Sequence, residues 1–458
     1  MHHATERFLK KHPHPHPPLW ERPTLSRRNF FRVLGTGLTG YALFQTARPL
    51  RLLAQASVLP LNTAKNCIFL QLAGGPAHTE MFDLKTGSWT PAEWNPTPYG
   101  EILFPQGLLP RTAERLGEIV IVRSMRAWAL VHSLAQTWMQ IGRSPASAVG
   151  SIAPHVGSIV ALEKAAERTE KDILPGFVSL NAAGGQVGAG YLPATYAPFE
   201  VQPSVNGLRN TLHPDGKARW EGRLRILHLL DDTLRKDSPL GSLPEDLDEF
   251  YSSAGNLMYN DAVQSAFAVT EAERPAYGGT DFGDACQIAT KILKADLGTR
   301  FIQITLGGWD HHSNIYTRLP DLAATLDAGY AGLLDGLQQA GLFEDTLVVM
   351  AGEFGRTVGA LNAAGGRDHY LQQFAVFAGG GVRGGRVIGK TDDAGAFTIE
   401  PGWSRQRDIR TEDVEATLYS ALGINWTTVR HDDPLGRGFE YIPYADQDIY
   451  GPIHELWG

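Results

Sequence analysis

The sequence predicts a doubly wound, mostly parallel α/β sheet that carries a mostly helical insert. Three observations predict it. Residues 301–306 (FIQITL) and 346–351 (TLVVMA) read as short buried strands, and residues 319–340 between them set Leu322, Leu326, Leu333, Leu334 and Leu337 on one side of a helix. A strand, a helix of that length and a second strand make a right-handed crossover with parallel strands. Residues 67–73 (CIFLQLA) are almost wholly apolar, which suits a parallel strand covered on both faces. From about 207 to 273 the pattern changes, and Leu224, Ile226, Leu227, Leu229, Leu230 and Leu234 recur at helical spacing.

The chain has 458 residues, enough for one large α/β domain or two ordinary ones. Its 50 Gly and 28 Pro predict long, ordered loops. The net charge of -8 is unevenly spread. Residues 1–56 hold nine Lys and Arg against two acidic residues, a net of +7, which leaves 32 basic and 47 acidic residues beyond, a net of -15. So acidic a body argues against nucleic acid as a partner and is compatible with a metal.

Residues 1–56 read as a tail followed by a targeting signal. Arg27 and Arg28 precede a mildly apolar run at 33–47, and Ala54-Gln55-Ala56 offers a small-x-small cleavage pattern. These three parts in order are a twin-arginine export signal. The expected location is periplasmic, envelope-associated or extracellular. An uncleaved signal would instead associate the protein with the membrane, although the run is short of the ~20 residues a spanning helix needs. The prolines and histidines before it, including His12, His14 and His16, read as a solvated tail.

Residues 57–458 read as the α/β domain. Its first strand, 67–73, runs into Gly74-Gly75, which let backbone approach a ligand closely, and then into His78, Glu80 and Asp83. Asp83 reads equally as a ligand or as a turn cap, and Glu80 reads as a cap. Residues 89–110 look like a covering loop and 119–123 like a strand. Residues 130–141 look helical and bring His132, Ser133 and Thr137. A hydroxyl there is a nucleophile only if a metal lowers its pKa, and Ser and Thr on helices are usually structural. Residues 176–180 are a strand before a glycine-rich loop at 182–190. The insert follows, expected to pack over the sheet or form a lid. Residues 284–297 make an amphipathic helix leading into the strand at 301. Cys67 and Cys286 fall on a strand and a helix and read as two buried free thiols.

Chemistry gathers where strands end. Asp310, His311 and His312 follow the 301–306 strand, and Glu353, Phe354 and Arg356 follow the 346–351 strand. Arg367, Asp368 and His369 come just before a strand at 374–378. Open α/β sheets bind ligands at the carboxyl ends of their strands. The expectation is that one sheet delivers these clusters to one edge. The glycine-rich run at 379–385 lacks the lysine and spacing of a phosphate loop. Residues 411–422 read as a helix capped by Thr411 and ended by Gly423. A structural reading stands beside the metal reading: Asp310 with His312 as a hydrogen-bonded pair, and Glu353 with Arg356 as an ion pair holding adjacent turns.

The segments LAGGPAHTEMFDLK (72–85), YLPATYAPF (191–199), GGWDHH (307–312), GEFGRT (352–357), GRDH (366–369) and the glycines at 379–385 stand together in an order that resembles the family named domain of unknown function 1501. That family is a sulfatase-like branch of the alkaline phosphatase superfamily. The resemblance spans nearly the whole domain and implies metals at the strands' carboxyl ends. By position it implies that Asp310 and His312 hold one metal, that Glu353 stands for a customary aspartate, that His369 is the late histidine ligand and that Asp83 is the early carboxylate. Phe354 stands where catalytic members place a histidine, Ala77 where relatives carry serine, Glu80 where aspartate is usual and Ile141 where many carry threonine. One metal site is implied more readily than two.

Two functions follow. The first is a metal-dependent hydrolase of phosphate or sulfate esters. Asp83, Asp310, His312, Glu353, Asp368 and His369 would hold a divalent ion (zinc, manganese, calcium or iron), Arg356 would steady the anion, activated water would attack, and Ser133 or Thr137 would be the fallback nucleophile. Its partner is a small ester substrate. The second is a non-catalytic sulfatase-like scaffold, a subunit of an envelope or extracellular assembly with protein partners.

Overall fold

A computed structural model describes residues 58–182, 184–209, 211–235, 248, 251 and 254–458. The twin-arginine segment and its cleavage pattern lie outside the described residues. Eight strands form the main sheet: β1 Asn66–Ala73, β2 Ile119–Arg126, β3 Phe177–Leu180, β4 Phe199–Val201, β5 Phe301–Gly307, β6 Thr346–Gly352, β7 Gln372–Ala378 and β8 Arg386–Ile388. Their order across the sheet is β8-β2-β7-β6-β1-β5-β3-β4. Leu70 of β1 sits between Ile304 of β5 and Met350 of β6, both pairings parallel. Only β7 runs against the rest, pairing antiparallel with β2 and β6. The other seven share one direction. The expected doubly wound, mostly parallel sheet is what the chain forms.

Among the described residues the α-helices of seven residues or more are α1 His132–Ile141, α2 Val156–Glu163, α3 Lys217–Arg235, α4 Asp261–Phe267, α5 Asp281–Ala295, α6 Ile315–Gln339 and α7 Thr411–Ala421. Strand side chains alternate between faces. Ile68, Leu70 and Leu72 join the core made with α5 and α6. On the opposite face the Phe177 and Phe301 rings meet edge to face at 5.1 Å. Gly157 of α2 lies on them so closely that a Cβ there would stand 2.5 Å from the Phe301 ring. Helices therefore cover both faces, and α3 and α4 fall in the span expected of the insert.

Two helix starts differ from expectation. The pattern, with Pro320 near its start, predicts a helix from 319, but α6 begins at Ile315. Backbone carbonyls of Ala364 and Gly365 take the amides of Asn314 and Ile315 at 3.1 and 2.9 Å, which satisfies the first turn without a side-chain cap. At α7 the cap position belongs to Arg410 rather than Thr411. The Asp413 carboxylate accepts the Arg410 amide at 2.9 Å, and the Thr411 hydroxyl turns to Met139 sulfur. Cys67 and Cys286 are free and buried. No helix of the described residues is long and apolar enough to cross a membrane.

Candidate metal centre

Four side chains converge at the carboxyl edge of the sheet. Asp310 and His312 follow β5, His369 precedes β7, and His132 opens α1 after β2. Because β7 is antiparallel, its beginning lies where its neighbours end, so a residue just before it reaches the same edge. Ligand atoms of His132, Asp310, His312 and His369 all lie within 4.8 Å of one another. From Asp310 Oδ1 the three Nε2 atoms stand at 3.3 Å (His132), 3.0 Å (His312) and 3.6 Å (His369). The edge of a tetrahedron with metal bonds of ~2.0–2.1 Å is ~3.3 Å.

Each imidazole is fixed from behind through Nδ1. His132 Nδ1 donates to Glu353 at 2.6 Å, His312 Nδ1 to Asp368 at 2.8 Å, and His369 Nδ1 to the Leu130 carbonyl at 2.7 Å. Carbonyl and carboxylate oxygens only accept, so they set the Nδ1–H tautomer and leave a lone pair on each Nε2. His132 Nε2 is buried and has no hydrogen-bond partner. His312 Nε2 and His369 Nε2 face each other at 3.0 Å. Two lone pairs at that distance repel unless a proton or a metal ion lies between them. An imidazole tied to an acceptor on its far nitrogen is the usual arrangement of a metal-bound histidine. The donor set thus fits one divalent ion.

The electrostatics divide: those of Asp310 and His369 favour a bound cation, whereas that of His132 favours the proton a cation would displace. Burial opposes ionisation of Asp310, but the Arg356 hydrogen bond at 2.6 Å and its charge outweigh it and pull the carboxyl down to about 2. The hydrogen bond to Glu353 raises His132, against burial. Burial lowers His369 despite its bond to Leu130. Phe354 packs against His132 and His369, with ring centroids 4.7 and 4.5 Å away. Phe354 therefore walls the centre and supplies no ligand to it.

Other expected site residues take different posts. Glu353 is buried and accepts from Gly74 N, His132 and Gln136, so it stands behind a ligand. Asp368 stands likewise behind His312. Asp83 is not gathered: Thr391 donates to it at 2.6 Å, and Lys85 and Arg123 lie 3.3 and 3.4 Å away, so it clamps the first loop to the strand near 391. His78 and Glu80 are also engaged, with the Gly395 carbonyl and with Arg367. Arg356 is fully buried and commits all its donors, to the carbonyls of Gly74, Gly75 and Arg367, to Asp310 and to His312. No N–H remains to steady an anion, and its role is to orient Asp310. Ser133 is exposed, and the Thr137 hydroxyl donates to the Ser133 carbonyl at 2.8 Å. At 100° per residue, a helix that aims His132 and Gln136 at Glu353 turns Ser133 and Thr137 aside. His311 is buried, its ring lowered to about 4 by burial, and its carbonyl receives the Arg367 amide.

His132, named in the sequence beside Ser133 but given no role, and Gln136 are the site residues the sequence reading does not assign. Their one signal is a spacing of four on a single helix face. Gly74 completes the site: its φ is +119°, and a Cβ would stand 2.8 Å from the amides of Trp309 and Asp310, so only glycine lets β1 end this close to the Asp310 turn.

Several solved structures resemble the chain distantly. The lipoteichoic acid synthase LtaP of Listeria monocytogenes is 11% identical, with 81% of this chain and 75% of that one covered and a TM-score of 0.38. The PsFucS1 sulfatase of Pseudoalteromonas sp. is 12% identical, with 79% and 68% covered and a TM-score of 0.38. A protein in the alkaline phosphatase superfamily from Vibrio parahaemolyticus is 11% identical, with 81% and 71% covered and a TM-score of 0.36. No curated protein matches the chain. The model of one protein family, described as a protein of unknown function (DUF1501), matches residues 64–441, and the chain belongs to that family.

Proposed function

We propose that the protein is a sulfatase-like, single-metal hydrolase of phosphate or sulfate esters, with its ion held by His132, Asp310, His312 and His369. The observation that carries this reading is the convergence of three Nε2 lone pairs on one carboxylate, each imidazole fixed from behind. Three nitrogens to one oxygen favour zinc or iron over calcium, which prefers oxygen ligands. A bound ion would supply Lewis-acid polarisation of the ester and activation of water. The chain's own residues do the rest. Glu353, Asp368 and the Leu130 carbonyl hold the three rings in one tautomer, Arg356 keeps Asp310 ionised, and Phe354 excludes water from one side. Asp310 and His312 keep side-chain exposures of 48% and 45%, so an ester can reach them from solvent. With Ser133 and Thr137 turned away, water is the attacking group.

The test is elemental analysis of protein purified without added metal, paired with a screen of phosphate and sulfate esters. About one equivalent of zinc or iron, lost in His132→Ala, with turnover lost in parallel, is the expected result. No retained metal in a folded wild type would sink the proposal. The complete engagement of Arg356 favours a second reading, in which the same ion only braces a scaffold for protein partners. Metal retained at one equivalent with no turnover of any ester would select it.

Export by the twin-arginine route is part of the proposal, and the composition of residues 1–56 supports it. Replacing Arg27 and Arg28 by Lys should leave the protein in the cytoplasmic fraction. Unchanged fractionation would remove that part alone.

A further inference from the structure

An apolar rim adjoins the imidazole cluster. Ala127 and Ala129 pack inward on Ala135, Phe354 and Leu371. The residues between and after them face out: Trp128 is 42% exposed, Leu130 39% and Val131 59%. Single exposed apolar side chains are ordinary. Three within four residues, beside a polar centre, call for an occupant. Trp128 is also held in place, which bare exposure does not require. Its ring stacks on Trp138 at 5.9 Å, the Arg410 guanidinium lies 4.0 Å from its centroid, and Glu412 accepts both indole N–H groups at 2.9 and 3.0 Å. The rim is joined to the centre by backbone. The Leu130 carbonyl accepts His369 Nδ1, and Val131 caps the helix that begins at His132. Three side chains offer far less than the ~800 Å² per partner of a stable protein interface.

We propose that Trp128, Leu130 and Val131 form the subsite for an apolar group, alkyl or aryl, carried by an ester whose anionic end lies at the imidazole cluster. This inference rests on the metal reading above and names its substrate class: anionic esters with a hydrophobic arm.

The test is calorimetric titration of the zinc-loaded full chain with n-alkylphosphonates from methyl to hexyl, with metal content measured on the same samples. Affinity should rise about three- to fourfold per added methylene until the rim is covered. The double variant Leu130→Ser, Val131→Ser should flatten that rise; because the Leu130 carbonyl also holds His369, the readout is the dependence on chain length within the variant, at matched zinc content, and not its affinity for methylphosphonate. Serine is a favoured cap residue at 131, so the helix start is not weakened. Equal binding of all chain lengths, or a rise that survives in the double variant, would overturn the subsite and leave the metal reading standing. Binding of no phosphonate to protein that holds zinc would overturn both. Association with phosphatidylcholine vesicles that the double variant loses, with no dependence on phosphonate chain length, would overturn the subsite in favour of a membrane surface.

Discussion

Replacing Glu353 by glutamine should weaken zinc retention ten- to a hundredfold with little harm to the fold. Glu353 Oε1 accepts from His132 Nδ1 at 2.6 Å, Gly74 N at 2.9 Å and Gln136 Nε2 at 3.0 Å, whereas Oε2 accepts only a second branch from Gly74 N at 3.2 Å. A glutamine with its oxygen at the Oε1 position keeps the three short bonds and loses the weak one and the charge. The cost to stability is then about 1 kcal/mol. Neutralising the partner behind a metal-bound imidazole costs 10–100-fold in affinity, or ~1.4–2.7 kcal/mol. The sign with pH follows from the hydrogen bond to Glu353, which raises His132. In the wild type a proton competes for Nε2 up to a higher pH, and in the variant that competition recedes. The ratio of variant to wild-type Kd should therefore be larger at pH 8 than at pH 6. Chelator competition with zinc at the two pH values measures it. A loss under twofold at pH 8, or a ratio that shrinks as pH rises, would refute the assignment of Glu353 as the group that orients His132.

Three further outcomes are expected. Glu415 is buried with one carboxylate oxygen unpartnered, and burial, then the charge of Glu412, push its carboxyl well above the ordinary range while Arg143 opposes. The folded chain keeps this proton above pH ~4.3, where the unfolded chain releases it, so the contribution to stability is full at low pH and lost as pH rises. Glu415→Gln should then raise the Tm relative to wild type by a margin that widens from pH 5 to pH 8; a margin that narrows sinks the argument. Arg356→Lys removes the planar fork that binds three backbone carbonyls and Asp310, and should cost about 2–4 kcal/mol in urea unfolding; a change under 0.5 kcal/mol would show that the clamp contributes little. Ser133→Ala and Thr137→Ala should leave metal content and ester turnover within twofold, and a hundredfold fall in turnover would return a hydroxyl to the role of nucleophile.

The strands and the edge they serve were legible because buried parallel strands are written as apolar runs ended by glycine. Asp310, His312 and His369 were legible for the same reason, since each adjoins such a run. His132 was not. It follows Leu130 and Val131, whose apolar character reads as the helix itself, and nothing local distinguishes an imidazole at a helix start from a solvated one. Glu353 and Asp368 were found as carboxylates at strand ends, but whether a carboxylate faces an ion or stands behind a histidine depends on a few tenths of a turn of backbone. Asp83 met Arg123 and Thr391, partners far away in sequence that no local spacing announces. Where α6 starts was likewise set by tertiary hydrogen bonds from the 364–365 loop and not by its own pattern.

The positions of β2 and β5 in the sheet bear on when the site can come into being. Between these strands lie β7, β6 and β1, so at ~4.8 Å per strand their ends are ~19 Å apart, and the loops they feed must lean inward to meet. An ion shared by His132 and Asp310 would staple segments that only a nearly finished sheet holds in place. Partly assembled chains would present two of the three imidazoles at most and bind weakly, so metal capture would mark completion of folding. Stopped-flow refolding with a zinc indicator should accordingly show uptake trailing the burial of the central strands.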